Sequence, residues 1–256
     1  MEVIKLNTSN NSEFIEVNYY PNKDSNALIL FIPGHPGSKR EFEGVIKLLL
    51  RKIKDWSFIT FSFRGFDTGK AYPINRQVSD LNELLEFIVQ DVSPAKIALI
   101  GTSSGAVSVT SVLSSGKFSE LIAKVLYIDP ADFYLRDLDK TEEMFIWSGP
   151  NAFKPDGEVT ADLLAQINSD VSINVVGFTL RNYGRAGYSD NRIKDDPGLY
   201  PRLNQTMVRN FFNKIPKKNK GKYIEVNNIP HAFIRDGNVL ENEKNVADLI
   251  LKCLKD

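Results

Sequence analysis

Short apolar runs alternate with helical patterns along most of the 256-residue chain. The runs are rich in β-branched and aromatic residues, and most are apolar throughout, which is typical of strands covered on both faces. They occupy residues 14–20, 27–34, 57–63, 96–101, 124–130, 173–180 and 222–226. This alternation constrains the fold more than any other feature of the sequence.

The segments between the runs carry helical periodicity. A Ser38-x-x-Glu41 capping box precedes apolar residues spaced for one helix face, and residues 240–254 have the pattern of a final amphipathic helix. Alternating strands and helices require crossover connections. The sequence therefore predicts an α/β fold: a mostly parallel, doubly wound central sheet with helices on both faces and an antiparallel N-terminal edge.

Residues 131–170 interrupt the alternation with mixed polarity and several Gly and Pro residues. We interpret this interval as a small lid or cap insertion. With 42% hydrophobic residues, the chain is long enough to bury one large core. We therefore expect a single domain over residues 1–256, with reactive groups at the carboxyl ends of the strands.

Charge and cysteine content narrow the classes of partner. The 32 basic and 32 acidic residues balance, so no net field attracts nucleic acid or anionic lipid, and we expect a small-molecule substrate. The single cysteine, Cys253, cannot form an internal disulfide, which favours a cytoplasmic location. No apolar run approaches the roughly 18 residues of a membrane span. No pattern indicates an oligomeric state.

The segment Gly101-Thr102-Ser103-Ser104-Gly105 joins an apolar strand to helix-compatible sequence. This is the G-x-S-x-G pattern of a nucleophile elbow in its required context. The glycines remove Cβ atoms that would clash in a tight turn, and the N-terminus of the following helix favours an anion. Ser103 is the predicted nucleophile.

A serine hydroxyl needs an adjacent base, and the chain contains only two histidines. His231 lies between the last strand-like run and the final helix, and it follows the serine in the chain order expected of such an enzyme. We predict that His231 is the base.

Three segments together resemble the α/β-hydrolase superfamily over nearly the whole chain. Residues 33–38 match its HGxPGS loop, residues 63–69 its RGxGxS segment, and residues 101–105 its nucleophile elbow. The resemblance implies a serine hydrolase that acts on an ester, thioester or amide through an acyl-enzyme, with no metal or organic cofactor. A carboxylesterase or thioesterase with a small-to-medium acyl substrate is the simplest such enzyme.

Two amides are expected to form the oxyanion hole. In this architecture one comes from the residue after the nucleophile and the other from the loop after the third strand, which indicates the N–H groups of Ser104 and His35. Pro33 stands where the family loop begins with histidine. We expect this departure to change loop packing and to leave the His35 amide intact.

The triad acid is the second departure from the family pattern. The family places it shortly after the seventh strand, but here the first carboxylate beyond residues 173–180 is Asp190. We favour Asp190. Asp129, at the end of the preceding strand, is the alternative acid, because some lipase-like members keep the acid there. An Asp-Pro pair also commonly ends a strand, with the aspartate bonded to nearby backbone.

Other functions fit the same fold. The late acid and Pro33 also fit a catalytically inactive ligand-binding or interaction protein, and peptidase and lyase activities occur on this scaffold. The sequence leaves these alternative functions open.

Overall fold

A computed structural model describes residues 1–8, 14–34, 38–64, 74–130, 160–180, 208–209, 211–230, 233–234 and 237–255. Eight strands form one sheet in the order β1-β2-β4-β3-β5-β6-β7-β8. Strand β2 pairs antiparallel with β1 and β4, and all the other neighbours are parallel. The strands are β1 (Glu2–Asn7), β2 (Phe14–Tyr20), β3 (Ala27–Ile32), β4 (Ser57–Ser62), β5 (Lys96–Thr102), β6 (Ile122–Ile128), β7 (Ser172–Leu180) and β8 (Lys220–Pro230).

The predicted fold class is confirmed, because the sheet is mostly parallel and buried on both faces. Strand β3 shows this most clearly: all six of its residues are buried, and successive side chains enter opposite layers of the core. Leu30 belongs to the cluster on one face and Phe31 to the cluster on the other. A strand with two apolar faces has to lie inside the molecule.

Five α-helices with described bounds cover these faces. They are α1 (Glu43–Lys52), α2 (Ile74–Phe87), α3 (Gly105–Ser115), α4 (Thr160–Ala165) and α5 (Val239–Lys255), and a 3₁₀ turn (Lys39–Phe42) precedes α1. Leu84 and Val109, from α2 and α3, pack in one cluster, whereas Leu49 and Val246, from α1 and α5, pack in the other. None of the helices among the described residues is both long and apolar enough to span a membrane.

Three regions differ from the sequence prediction or extend it. Strand β1 was not among the predicted runs, and β8 spans 11 residues where the pattern predicted five, 222–226. Of the predicted lid, residues 131–159 lie outside the described residues. Its last part contains α4, and Leu164 and Ile167 are buried in the core cluster that includes α3.

A buried ion pair holds the chain where it leaves β4. The Arg64 backbone N–H donates to Asp80 Oδ2 at 2.8 Å, and its guanidinium Nε donates to Asp80 Oδ1. Both side chains are no more than 3% exposed. Burial raises the pKa of Asp80 to about 6, although the hydrogen bonds and positive charge of Arg64 act in the opposite direction. The charged form of Asp80 therefore depends on Arg64, whose positive charge and hydrogen bonds offset part of the cost of burying the carboxylate.

Replacing Asp80 by asparagine is expected to lower the free energy of unfolding by about 3–5 kcal/mol, because the buried Arg64 guanidinium loses its main counter-ion and keeps only the longer contact with Glu83 Oε1 at 3.5 Å. Urea unfolding of the purified protein measures this. The matched control is Asp248→Asn, which breaks the half-exposed pair with Lys52 (2.5 Å) and should cost less than about 1 kcal/mol. Equal, small losses in both variants would contradict the stabilising role of the Arg64–Asp80 pair.

Candidate active site

Ser103 lies in a strained turn between β5 and α3. Its φ is 45°, and its backbone N–H donates to the Ile128 carbonyl at 3.2 Å. A left-handed conformation costs a non-glycine residue about 1–2 kcal/mol and persists only where the surroundings enforce it. Pairing with β6 on one side and the start of α3 on the other enforce it here. This is the local geometry that the sequence pattern predicted for the elbow.

The glycines that flank Ser103 let three backbone segments approach one another. A Cβ atom on Gly105 would lie 2.7 Å from the carbonyl oxygens of both Ile32 and Pro33. A Cβ atom on Gly101 would lie 3.3 Å from the Gly105 carbonyl. Real Cβ atoms do not come within 3.0 Å of backbone, so Gly105 is required where the elbow meets the end of β3.

Helix α3 begins at Gly105, and Ser104, the residue after Ser103, is its N-cap. The Ala106 N–H donates to the Ser103 carbonyl at 3.1 Å, and the Val107 N–H donates to the Ser104 carbonyl at 3.0 Å. The Ser104 N–H therefore precedes the hydrogen bonds of the first helical turn. It lies at the positive end of the helix dipole, where negative charge is stabilised.

The segment that leaves β3 packs directly against this elbow. A Cβ atom on Gly34 would lie 2.8 Å from the Ser103 Cβ. The Gly34 N–H donates to Glu41 Oε2 at 2.9 Å, and the Thr102 hydroxyl donates to Glu41 Oε1. The sequence pattern of Glu41 predicts only a capping role, and no local pattern indicates this bridge. Ser38 does cap a helical turn, because its Oγ accepts the Arg40 N–H at 3.2 Å, but this is the 3₁₀ turn and not α1, whose N-cap residue is Phe42.

Asp129 ends β6 beside the elbow. The register pairs Thr102 with Ile128, so Ser103 and Asp129 leave adjacent strands at the same level. Asp129 also has a positive φ of 44° and is 1% exposed. Its N–H donates to the Val176 carbonyl at 2.7 Å, and its Oδ1 accepts the Phe178 N–H at 3.3 Å. The carboxylate is thus bonded to the backbone of β7.

Asp129 is also within electrostatic range of β8. Burial is the largest cause of the raised pKa of the Tyr223 hydroxyl on that strand, and the charges of Glu225 and Asp129 act in the same direction. Strand β8 ends at Pro230, which pairs with Leu180 at the end of β7. His231 follows Pro230 in the sequence.

The structure brings together three of the predicted site residues: Ser103, Ser104 and the alternative acid Asp129. His35, His231 and the favoured acid Asp190 lie outside the described residues. Within the described ranges, no group of three or more His, Cys, Asp or Glu side chains could hold a metal ion.

Solved structures share this architecture over nearly their full length. The bromoperoxidase from Bacillus anthracis matches with a TM-score of 0.69 and 16% identity, covering 100% of both chains. The esterase EaEST from Exiguobacterium antarcticum matches with a TM-score of 0.64 and 12% identity, over 98% of this chain and 99% of that one. An alpha-beta serine hydrolase homologue from Coxiella burnetii gives 0.61 and 17%, over 98% and 96%. Identities this low establish the fold alone.

No curated protein sequence matches this chain significantly. A family model described as alpha/beta hydrolase fold matches residues 27–172, which is more than half of the 256 residues. The matched range includes β3 to β6 and the elbow at Ser103. With the sheet order and the elbow geometry, this match confirms the predicted resemblance: the chain belongs to the alpha/beta hydrolase fold family.

Proposed function

We propose that this chain is a serine hydrolase that cleaves a carboxylic ester or thioester of small-to-medium acyl size, with Ser103 as nucleophile. Membership of the alpha/beta hydrolase fold family supports a hydrolase. The observation that carries the assignment of Ser103 is its φ of 45° between the end of β5 and the start of α3. A costly backbone conformation at the one serine that the motif singles out supports a catalytic role.

The proposed reaction proceeds in two halves. His231 takes the proton of the Ser103 hydroxyl as the oxygen attacks the acyl carbonyl, and the proton then passes to the departing alkoxide or thiolate. Water then attacks the acyl-enzyme as His231 takes its proton, and that proton passes to the Ser103 oxygen as the carboxylic acid leaves. The N–H groups of Ser104 and His35 stabilise the oxyanion in both halves.

Asp190 is the acid that we propose orients His231, and Asp129 is its rival. The bond from the Phe178 N–H to Asp129 Oδ1 is the kind of backbone contact that a strand-ending aspartate makes, and it supports a structural role for Asp129. Its position level with Ser103 supports the opposite assignment. Substitution of each aspartate separates the two roles.

Family membership and the neighbours support the proposed substrate class. Esterases are among the solved structures with this fold, including those from Exiguobacterium antarcticum and Thermogutta terrifontis. We therefore propose esters as the first substrates to test, although one fold supports several chemistries. We further propose that residues 1–256 form one domain. We also propose a lid within residues 131–170, which the buried Leu164 of α4 anchors to the core.

A fluorophosphonate probe is expected to add one adduct to the wild-type protein and none to Ser103→Ala, because the probe reacts only with an activated serine. Intact-mass measurement before and after labelling reads the result. Ser115→Ala is the matched control: Ser115 is exposed at the far end of α3, and its removal should leave labelling unchanged. Equal labelling of the wild type and Ser103→Ala would overturn the assignment of Ser103 as the nucleophile, and no labelling of either would favour an inactive binding protein with this fold.

Substitution of the two aspartates by asparagine is expected to have unequal effects on ester hydrolysis. Asp190→Asn should lower kcat by about 10⁴-fold, because His231 loses its orienting partner. Asp129→Asn should lower it by less than about tenfold, since an amide oxygen can still accept the Phe178 N–H. Steady-state kinetics with p-nitrophenyl acetate tests this. The reverse order assigns the acid to Asp129, and small losses at both positions contradict both assignments.

A further inference from the structure

We infer that Glu41 is a positioning residue for the oxyanion hole. Its carboxylate joins the segment that leaves β3 to the strand that carries the nucleophile, by accepting the Gly34 N–H at 2.9 Å and the Thr102 hydroxyl. Gly34 precedes His35, and Thr102 precedes Ser103. The carboxylate therefore sets the spacing between the two segments whose amides are proposed to bind the oxyanion. This inference rests on the proposed function.

Glu41 itself is held by a rigid support. The Lys39 N–H donates to Ser62 Oγ at 3.1 Å, and the Thr60 hydroxyl donates to the Lys39 carbonyl at 3.2 Å. These bonds fasten the 3₁₀ turn to β4. Phe42, next to Glu41, is fully buried, and its ring centroid lies 4.8 Å from that of Phe31 on β3. A side chain on such a support can fix its partners to within the tolerance that catalysis needs.

Contacts around the elbow leave little room for Gly34 to move toward Ser103. A Cβ atom on Gly34 would lie 2.8 Å from the Ser103 Cβ, and one on Gly105 would lie 2.7 Å from the Pro33 carbonyl oxygen, so these segments already lie close together. These contacts limit approach but do not prevent separation. The Glu41 bridge supplies the attractive restraint, because its two bonds pull the β3 exit and the elbow together.

The charge of Glu41 does not itself favour the reaction. A negative carboxylate near the point where an oxyanion develops disfavours that oxyanion. Its contribution must come from the two donors that it holds. A glutamine at this position can accept the Gly34 N–H through its carbonyl and donate to the Thr102 oxygen through its amide. The Glu41→Gln variant therefore separates the effect of the hydrogen bonds of Glu41 from the effect of its charge.

Ester hydrolysis by three variants tests the role. With p-nitrophenyl acetate, Glu41→Ala should lower kcat by about 10–100-fold with KM within about threefold, because the oxyanion forms only in the transition state. Glu41→Gln should stay within about threefold of wild-type kcat. Glu43→Ala is the matched control: its carboxylate accepts from Asn18 Nδ2 at 3.2 Å, away from the elbow, and kcat should be unchanged.

A transition-state analogue gives a readout that a general loss of stability would not reproduce. The inhibition constant of a trifluoromethyl ketone, which forms an oxyanion on the serine, should rise in Glu41→Ala by the same factor as kcat/KM falls. Unchanged kcat and inhibition constant in a folded Glu41→Ala protein overturn the inference. Equal losses in Glu41→Ala and Glu41→Gln also overturn it. If Glu41→Ala does not fold, Thr102→Val removes the hydroxyl donor at constant shape, and an unchanged kcat there has the same meaning.

Failure of the proposed function is recognised separately. If the wild type neither hydrolyses the ester nor reacts with a fluorophosphonate, the hydrolase proposal fails. The Glu41 bridge is then judged by amide hydrogen exchange. Faster exchange of the Gly34 and Ser104 amides in Glu41→Ala than in Glu43→Ala supports a positioning role, and equal exchange in the two variants overturns it.

Discussion

The close approach of two backbones at the carboxyl edge of the sheet determines how the candidate site is built. The elbow passes so near the end of β3 that a Cβ atom on Gly105 would meet the carbonyl oxygens of Ile32 and Pro33 at 2.7 Å. Because β3 and β5 are parallel neighbours in register, with Ile32 opposite Gly101, this approach is fixed by the sheet itself. The position of Ser103 thus follows from the pairing of strands whose residues lie far apart in the sequence.

The apolar core on both faces of the sheet offsets the cost of two strained turns, at Ser103 and at Asp129. Ser103 and Asp129 both have φ near 45°, at a cost of about 1–2 kcal/mol each. The backbone N–H of each residue still bonds to the next strand, from Ser103 to the Ile128 carbonyl and from Asp129 to the Val176 carbonyl. Apolar clusters on both faces hold these strands in place. The two residues can therefore turn sharply off the sheet without loosening it.

Sequence reasoning succeeded where burial dictates composition and failed where it does not. Strands β3 and β4 are buried throughout, and the unbroken apolar run of β3 together with the aromatic and β-branched residues of β4 indicated the fold class. Strand β1 lies at the edge with Val3 56% exposed, and β8 begins with Lys220 and Lys222, so neither reads as a long apolar run. The elbow was predictable because its pattern is local. The contact of Glu41 with Thr102 joins residues 61 positions apart and leaves no local pattern.

The loops at the carboxyl edge share one device for ending a parallel strand. Two residues after the end of β3, the Gly34 N–H donates to the Glu41 carboxylate at 2.9 Å. Two residues after the end of β4, the Arg64 N–H donates to the Asp80 carboxylate at 2.8 Å. In each case the acceptor comes from the following helical segment. A backbone donor that has left the sheet must still be satisfied when it is buried. A carboxylate on a fixed helical turn accepts this N–H and also sets the direction in which the loop leaves the strand. The same hydrogen bond therefore satisfies the buried backbone donor and shapes the site.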